Sequence, residues 1–464
     1  MVKANITQAI AEHLTRTRFD NLTDEAVRAT KIHILHTLGT IVAGSGAPGV
    51  DQILTGVAKW GSKEESTVIV HGKKLPAPSA ALVNSTMAHS CELDMNDDRL
   101  AYKSSVAVVP AALATAEMVG QVSGEELITA VCLGVDLGIR IGLAINPKPV
   151  HALFIALGPF AAAAASSKIL QLNEAGMCNS LGVAHCRVAI SGNSNVSPSL
   201  TKRLAAGFAS HSGVLAALLA AEGFPAAGEI FRGPTGFFQT LYGEEGEPDL
   251  LLDGLGERYE IVSVGPKPYP SCRYTHPAIT AVLAILQNNN IDPEQVEEVR
   301  VHVGKRDMHS VCGWEETQKR KRYRPEGVVD AQFSIPYTVA VALLKGKVSL
   351  DDFTEASIQD QRVLQFAQRV KPILDPQLDQ WPLDVKPQVV EIFTRDSRVY
   401  SWKVEYAKGN PRNPVSFDEL QENFREMAKY AAQPLSDEKI EKVISFVSAM
   451  EEVRDATLVT QLLT

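Results

Sequence analysis

The first 260 residues are dominated by apolar positions at helical spacing. Helices are predicted where apolar residues recur every three to four positions and where Asp, Glu, Gly or Pro mark the ends; these ranges are 6–17, 24–45, 49–60, 107–120, 124–145, 153–171, 173–190 and 202–221. A short β-hairpin is predicted around the turn HGKK at 71–74. Many of these helices are rich in Ala and Gly, which lets helix axes approach closely. The pattern predicts a tightly packed all-helical domain.

Alternation of apolar and polar positions replaces the helical period after about residue 257. It predicts strands at 259–264, 296–303, 388–393 and 399–406, with helices between them at 277–289, 331–345, 349–355 and 359–370. The segment 416–464 again reads as helical, with Ser416 as N-cap and Glu419 completing a capping box. The sequence therefore predicts a mainly α protein with three parts: an all-helical domain at 1–260, a smaller α+β domain at 261–408, and C-terminal helices at 409–464 that return to the first domain.

Composition narrows the class of protein. A chain of 464 residues can form more than one core, and 45% hydrophobic with 21% charged residues is typical of globular proteins. A net charge of -9 argues against nucleic acid as the main partner, and the one basic run, KRKRYRP at 319–325, is expected to be a short solvated loop. No membrane span is predicted, because the apolar runs are interrupted by Gly, Pro or polar residues.

The cysteines and the N-terminus bear on location. Six scattered cysteines without a CxxC motif favour neither a zinc site nor a disulfide framework, and they indicate a reducing compartment. The first residues carry charges and no apolar run followed by a cleavage site, so a secretory signal is not expected. A cytoplasmic location is predicted, and an organellar matrix stays open as an alternative.

Polar and acidic residues crowd into one segment between apolar runs. This acidic segment, residues 89–98, contains His89, Glu92, Asp94, Asn96, Asp97 and Asp98. Carboxylates this close together have to be solvated, paired with cations or arranged around a ligand. Two interpretations follow: a solvated loop between helices, or a functional site completed by distant cations. A Mg²⁺ site is a weaker alternative, because the segment lacks the Gly and distal Glu of a calcium loop, and no metal is predicted.

Two of the candidate cation positions lie at predicted helix starts. Lys202 and Arg203 begin an apolar helix, where the positive end of the helix dipole favours a bound carboxylate. His151 opens another helix after a Pro-rich loop, and the dipole there lowers the pKa of an imidazole so that it can act as a base. The alternatives are an exposed first-turn pair for the first position and a capping histidine for the second.

The segment KPYPSCRYTH at 267–276 is the third candidate position. It lies at the predicted boundary between the two domains, and its prolines stiffen the loop that carries Lys267, Cys272 and His276. Activation of Cys272 as a nucleophile by His276 is a minor alternative, since four residues of spacing in such a loop do not ensure hydrogen-bond contact. The motifs GxxxxGK[ST], HExxH and GxSxG are missing from the sequence.

Taken together, these motifs resemble the MmgE/PrpD family. The segment LDMNDD at 93–98 is followed by a basic residue seven positions before Pro110, and the likeness continues in the same order through TKRLAAGFASHSGV at 201–214, KPYPSCRYTH, and AQFSIPYTVAVALL at 331–344. The resemblance implies a large all-helical domain with an α+β lid, a homodimer, and activity without metal or organic cofactor. It also implies small di- or tricarboxylate substrates, from which a proton next to a carboxylate is removed with loss of water or CO₂.

The resemblance also implies site residues. The catalytic candidates are Asp94, Lys103, His151, Lys202 and Tyr337, and the substrate-binding candidates are Asp98, Ser104, Arg203, Lys267, Cys272 and His276. The chain departs from the family pattern at Lys103 and Ser104, where many members have His-Pro, and at Ala205 and His211 in the segment after Lys202. Lys103 can replace the missing histidine as a charge, and as a base only if burial lowers its pKa.

Three functions are compatible with this pattern. The first is a cofactor-independent lyase of a small polycarboxylate, of the 2-methylcitrate dehydratase or cis-aconitate decarboxylase type. The second is an epimerase or isomerase of a dicarboxylate, of the iminodisuccinate epimerase type. The third is an inactive family member that binds a carboxylate without turnover, which the substituted histidine makes reasonable.

Overall fold

The fold is mainly α. The computed structural model describes residues 5–145, 153–188, 199–243 and 246–464. Its helices are α1 (Ile6–Arg16), α2 (Asp24–Gly44), α3 (Val50–Val57), α4 (Ala77–Ala88), α5 (Ser105–Val119), α6 (Gly124–Leu143), α7 (Leu153–Ile169), α8 (Glu174–His185), α9 (Thr201–Ala221), α10 (Phe237–Tyr242), α11 (His276–Asn288), α12 (Lys305–Asp307), α13 (Glu316–Tyr323), α14 (Val328–Gln332), α15 (Ile335–Lys345), α16 (Gln361–Ala367), α17 (Phe417–Ala428), α18 (Asp437–Ser448) and α19 (Leu458–Leu462). The strands are β1 (Ser66–Thr67), β2 (Lys74–Leu75), β3 (Met95–Asp97), β4 (Val264–Pro266), β5 (Val296–Val303), β6 (Val370–Leu374), β7 (Gln388–Thr394) and β8 (Val399–Val404).

Buried apolar side chains form two main clusters. The helical core contains residues from Ile6 to Val264 together with residues from Leu420 to Leu463, so α17, α18 and α19 pack with the first half of the chain. The mixed core runs from Cys272 to Val404. In the mixed core, α11 and α15 pack beside a four-stranded sheet of order β6-β5-β7-β8. Strand β5 pairs parallel with β6 and antiparallel with β7, and β7 pairs antiparallel with β8.

Small residues let the central helices approach one another. A Cβ atom added to Gly207 of α9 would lie 2.6 Å from the carbonyl oxygen of Leu82 in α4, and one added to Gly213 would lie 2.6 Å from the backbone nitrogen of Ala163 in α7. The close axis approach predicted from the Ala- and Gly-rich composition is thereby confirmed. Helix α9 is as long and apolar as a membrane span, but it packs against α4, α5, α7 and α8 as a core helix does.

Most predicted elements are confirmed, and several differ. The helix predicted at 349–355 is only a 3₁₀ turn, Leu350–Phe353, and the loop predicted at 319–325 lies largely within α13. The strand predicted at 259–264 is wrong, because residues Glu260–Ser263 form a 3₁₀ turn and only Val264–Pro266 is extended. The helix predicted at 331–345 is divided, since α14 ends at Gln332 and Ser334 caps α15. Strand β6 was not predicted; its Pro372 and its exposed edge obscure the alternation.

A two-stranded ribbon brings the acidic segment against the boundary between the cores. Strand β3, inside the acidic segment, pairs antiparallel with β4, and Met95 lies opposite Pro266. The next position beyond this pair is occupied by Asp94, just before β3, and by Lys267, just after β4. The register therefore places a carboxylate beside an ammonium group that is far away in the sequence.

Candidate active site

The acidic segment is buried. Its six polar residues His89, Glu92, Asp94, Asn96, Asp97 and Asp98 are between 0% and 5% exposed. The solvated-loop interpretation is therefore wrong. His89 ends α4, and the imidazole of His36 in α2 contacts the carbonyl oxygen of Leu93 at 2.5 Å. Glu92 has a φ of 56°, an uncommon value for a residue with a side chain, and such strained positions cluster at functional sites.

Five buried side chains close a ring of hydrogen bonds. His89 Nδ1 lies 2.8 Å from Asp94 Oδ1, and His89 Nε2 lies 2.9 Å from Lys202 Nζ. Lys202 also donates to Glu92 Oε1. Lys267 Nζ completes the ring by donating to Glu92 Oε2 and to Asp94 Oδ2, each at 3.1 Å, and it donates to the Glu92 carbonyl oxygen at 3.0 Å. Two segments that the sequence predicted to supply cations thus meet the acidic segment.

The charges within this ring balance. Burial raises the pKa of the carboxyl groups of Glu92 and Asp94, but the cationic neighbours outweigh it, so both pKa values lie below the ordinary range and both groups are carboxylates. The same two carboxylates overcome burial at Lys267 and raise its pKa. Burial lowers the pKa of His89, which makes its imidazole neutral, with Nδ1 donating to Asp94 and Nε2 accepting from Lys202. Two negative and two positive charges cancel.

Two further cations lie near the acidic segment: the charges of Lys267 and Lys202 act on Lys103, and the charge of Arg203 acts on the thiol of Cys91. Lys103 Nζ donates to the carbonyl oxygen of Ala101 at 2.9 Å, and neither Lys103 nor Arg203 forms an ion pair within the part of the chain that is described. Burial, with the ammonium groups of Lys267 and Lys202, lowers the pKa of Lys103 to about 8. Arg203 lies in the first turn of α9 and is only 9% exposed, yet among the described residues its Nη1 has no hydrogen-bond partner. The site therefore carries surplus positive charge.

The mixed core contributes one wall of the site. Lys202 Nζ lies 5.5 Å from the ring centre of Phe333, and the buried Cys272 belongs to the same core. Burial and the charge of Glu92 raise the pKa of the Cys272 thiol. His276 does not activate it, because its ring nitrogens lie 3.3 Å from Arg273 Nη1 and 3.2 Å from the carbonyl oxygen of Ser271. The minor alternative of a Cys272–His276 nucleophile is thus not supported by the hydrogen bonds.

Asp98 joins the two cores. Arg273 donates to both of its oxygens at 2.8 Å, Asn410 donates to Oδ2 at 2.8 Å, and Asn96 donates to Oδ1 at 2.9 Å. The backbone N–H groups of Asp384 and Val385 donate to the Asp98 carbonyl oxygen. With both carboxylate oxygens engaged, we assign Asp98 to fixing the acidic segment against the mixed core and not to holding a substrate.

The remaining candidates lie in different surroundings. Tyr337 is buried in the mixed core, and its hydroxyl donates to the carbonyl oxygens of Asp352 at 2.7 Å and Ser357 at 3.2 Å, so the structure does not bring it to the ring. Ser104 is buried just before α5, with no partner for its hydroxyl among the described residues. His151 lies outside the described residues, and its role stays a prediction.

Three residues of the site had no predicted role. His89 and Glu92 are part of the acidic segment, but nothing in their spacing shows that they would bridge Asp94 to Lys202 and Lys267. Phe333 lies within the motif AQFSIPYT, where an aromatic residue is indistinguishable from a core residue. Within the described ranges, no group of three or more His, Cys, Asp or Glu side chains is arranged to hold a metal ion.

Two family models match most of the chain. Residues 8–248 match the MmgE/PrpD N-terminal domain, and residues 269–448 match the MmgE/PrpD C-terminal domain. The chain belongs to the MmgE/PrpD family. A protein of Aspergillus terreus named cis-aconitate decarboxylase is 24% identical over 99% of this chain and 96% of its own length. Proteins with the same name from Mus musculus and Homo sapiens are 25% and 26% identical over 100% of this chain and 94% and 95% of their own lengths.

Proposed function

We propose that the protein is a lyase acting on a small di- or tricarboxylate, with cis-aconitate as the first candidate substrate. The observation that carries the proposal is that two cations near the acidic segment, Lys103 and Arg203, have no carboxylate partner among the described residues, while the charges of the ring cancel. An unpaired buried guanidinium is costly unless an anion neutralises it, and a carboxylate can accept two hydrogen bonds from it. The cis-aconitate decarboxylase names of the relatives support the choice of acid.

The ring of hydrogen bonds holds the cations that this chemistry needs in fixed positions. Loss of CO₂, or of a proton beside a carboxylate, leaves an electron pair that spreads onto the remaining carboxylate, and fixed cations stabilise that charge. Because Glu92 and Asp94 hold Lys202 and Lys267 in place, these ammonium groups need no reorganisation during the reaction. In this proposal Arg203 and Lys103 hold the substrate carboxylates, while Lys202 stabilises the developing negative charge.

Lys103 has a proton affinity suited to acid–base work. With a pKa lowered to about 8, its side chain exists in both forms near neutral pH. Its protonated form delivers a proton to carbon after CO₂ has left, and its neutral form removes a proton before water leaves. Lys103 thereby replaces the histidine that many family members carry, and we propose that the reaction needs neither metal nor organic cofactor.

Further family features belong to the same proposal. We propose that residues 261–408 act as a lid over the all-helical part, that residues 409–464 belong with residues 1–260, and that the protein is a cytoplasmic homodimer. The link from Asp98 to Arg273 and Asn410 supports the lid, since it fixes the mixed core directly above the acidic segment.

Incubation with cis-aconitate and with 2-methylcitrate tests the function. Ultraviolet absorbance follows the conjugated double bond, and a parallel assay measures released CO₂. Release of CO₂ supports a decarboxylase, and a new double bond without CO₂ supports a dehydratase. Deuterium uptake from solvent into an unchanged dicarboxylate would instead identify an epimerase, and saturable binding without any reaction would identify an inactive binding protein. No binding and no reaction with either acid contradicts the proposal.

The pH dependence of turnover is a second prediction. Because the pKa of Lys103 is lowered to about 8, this side chain is cationic below pH 8 and loses its charge above it. For decarboxylation, in which the protonated form acts, we expect kcat/KM, which reports the free enzyme, to fall as pH rises through about 8; for dehydration, in which the neutral form is the base, we expect it to rise. In Lys103→Arg the charge persists, so that this change disappears from the profile. The variant keeps most of its activity if Lys103 only binds carboxylate, and loses about 100-fold or more if Lys103 transfers a proton. A wild-type profile that stays flat to pH 9.5 contradicts both roles.

A further inference from the structure

Among the described residues, Phe333 places an aromatic ring over the ring of charges. Its ring centre lies 5.5 Å from Lys202 Nζ, within the range of a cation–π contact. The side chain is partly exposed and packs on the mixed core, whereas Lys202 belongs to a helix of the helical core. Phe333 therefore reaches across the boundary between the cores to the ammonium group.

The position of Phe333 is fixed by its neighbour. Gln332 is buried, its side-chain amide donates to the carbonyl oxygens of Pro270 at 3.2 Å and Cys91 at 3.4 Å, and its own carbonyl oxygen accepts from the backbone N–H of Cys272 at 2.8 Å. These bonds attach the end of α14 to the acidic segment on one side and to the 267–276 segment on the other. The backbone next to Phe333 is thus fixed relative to both segments.

The hydrogen bonds of the Lys202 ammonium group indicate what can bind beside the Phe333 side chain. Two of its three N–H directions are taken by His89 Nε2 and Glu92 Oε1. Arg203, the next residue, has its Nη1 without a partner among the described residues. A carboxylate bound by these cations has to lie near the Phe333 ring, and a hydrocarbon ring donates no hydrogen bond to it. The carbon atoms of the ligand, not its oxygens, will therefore contact Phe333.

We propose that Phe333 determines substrate specificity by limiting the size of the substituent on the carbon next to the bound carboxylate. This inference rests on the proposed function and adds to it a preference for an unsubstituted acid. One extra methyl group in an apolar pocket changes kcat/KM by roughly 10- to 200-fold. Replacing Phe333 by Ala removes the wall, so the methyl-substituted acid is expected to gain relative to the unsubstituted one by about 10-fold or more.

The test compares kcat/KM for cis-aconitate and for its methyl-substituted analogue in wild type, Phe333→Leu and Phe333→Ala. The control is Phe224→Ala, which removes a ring that is 54% exposed and lies after the end of α9. The ratio of methyl-substituted to unsubstituted activity is expected to rise from wild type through Phe333→Leu to Phe333→Ala, and to stay constant in the control.

Each outcome decides the matter. A ratio that changes less than about twofold in both Phe333 variants overturns the inference while leaving the lyase proposal standing. A wild type that neither binds nor converts either acid overturns the lyase proposal and this inference with it. If Phe333→Ala does not fold, the milder Phe333→Leu variant gives the same comparison. An equal loss of activity on both acids indicates a structural role and also counts against a role in specificity.

Discussion

Replacing Arg203 by glutamine is expected to lower kcat/KM for the polycarboxylate substrate by about 10- to 100-fold, mainly through KM. A hydrogen bond to a charged group contributes roughly 1.5–3 kcal/mol, and removing the guanidinium removes at least one such bond to the substrate. In the described part of the chain, Nη1 of Arg203 has no protein partner. The substitution therefore breaks no bond of that atom, and the melting temperature is expected to stay nearly constant.

Steady-state kinetics and calorimetry on the same preparation check this result. Arg300→Gln is the matched control, because Arg300 lies on a strand of the mixed core with a 47% exposed side chain. It removes an arginine of the same size without touching the ring. Kinetic constants of Arg203→Gln within twofold of wild type would show that Arg203 does not bind substrate, and a large fall in melting temperature would show that it is structural instead.

Replacing Lys267 by methionine is expected to destabilise the protein by about 3–5 kcal/mol, because it leaves a buried carboxylate without a cation. Lys267 is 1% exposed, and its ammonium group donates to Glu92 and Asp94 and to a backbone carbonyl. Methionine matches the lysine side chain up to Cε and lacks only the ammonium group, so the loss comes mainly from charge and hydrogen bonds. Lys202 alone then faces two carboxylates.

Urea titration at two pH values measures the effect and its cause. Without Lys267 the pKa values of Glu92 and Asp94 rise, so protonation at lower pH relieves the unpaired charge. The difference in unfolding free energy between wild type and variant is therefore expected to shrink from pH 8 to pH 5. Lys403→Met is the control, since this exposed lysine pairs with Glu405 at the surface, where such pairs contribute at most about 1 kcal/mol. If Lys267→Met lowers the unfolding free energy as little as Lys403→Met does, the proposed contribution of the buried ring to stability is wrong.

The helices were predictable because each repeats its apolar period over several turns. The capping box at Ser416 and Glu419 and the whole of β5 are present as the local pattern predicts. Strand β6 was not predicted, since an exposed edge strand with a proline shows little alternation of apolar and polar residues. The turn at Glu260–Ser263 has apolar and polar residues in alternation but serves to lead the chain into β4.

The site was predictable in its parts and not in its connections. Charge crowding identified the acidic segment, and residue type identified Lys202 and Lys267 as its cations. Their meeting depends on the β3–β4 register and on the packing of α4 against α9, which bring together residues more than 100 positions apart. Sequence patterns also do not predict that the carboxylate of Asp98 accepts hydrogen bonds from Arg273 and Asn410. Nor do they predict that the Tyr337 hydroxyl donates to a backbone carbonyl.

The arrangement of charges links stability to function in this protein. A neutral ring fixes Lys202 and Lys267, and the strained backbone at Glu92 turns its carboxylate between them. Because Lys202 and Lys267 already have protein carboxylate partners, the proposed function assigns the binding of the substrate carboxylates to Lys103 and Arg203. Since Glu92 and Asp94 are already paired within the ring, they are not partners of Lys103 or Arg203 in the described structure.

A crystal structure with tricarballylate, the saturated analogue of cis-aconitate, tests the central claim most directly. The account predicts one carboxylate within hydrogen-bond distance of Arg203 Nη1, another near Lys103 Nζ, and the carbon chain against Phe333, with the ring from His89 to Lys267 unchanged. A ligand bound away from Arg203 and Lys103, or a ring opened by the ligand, would contradict it.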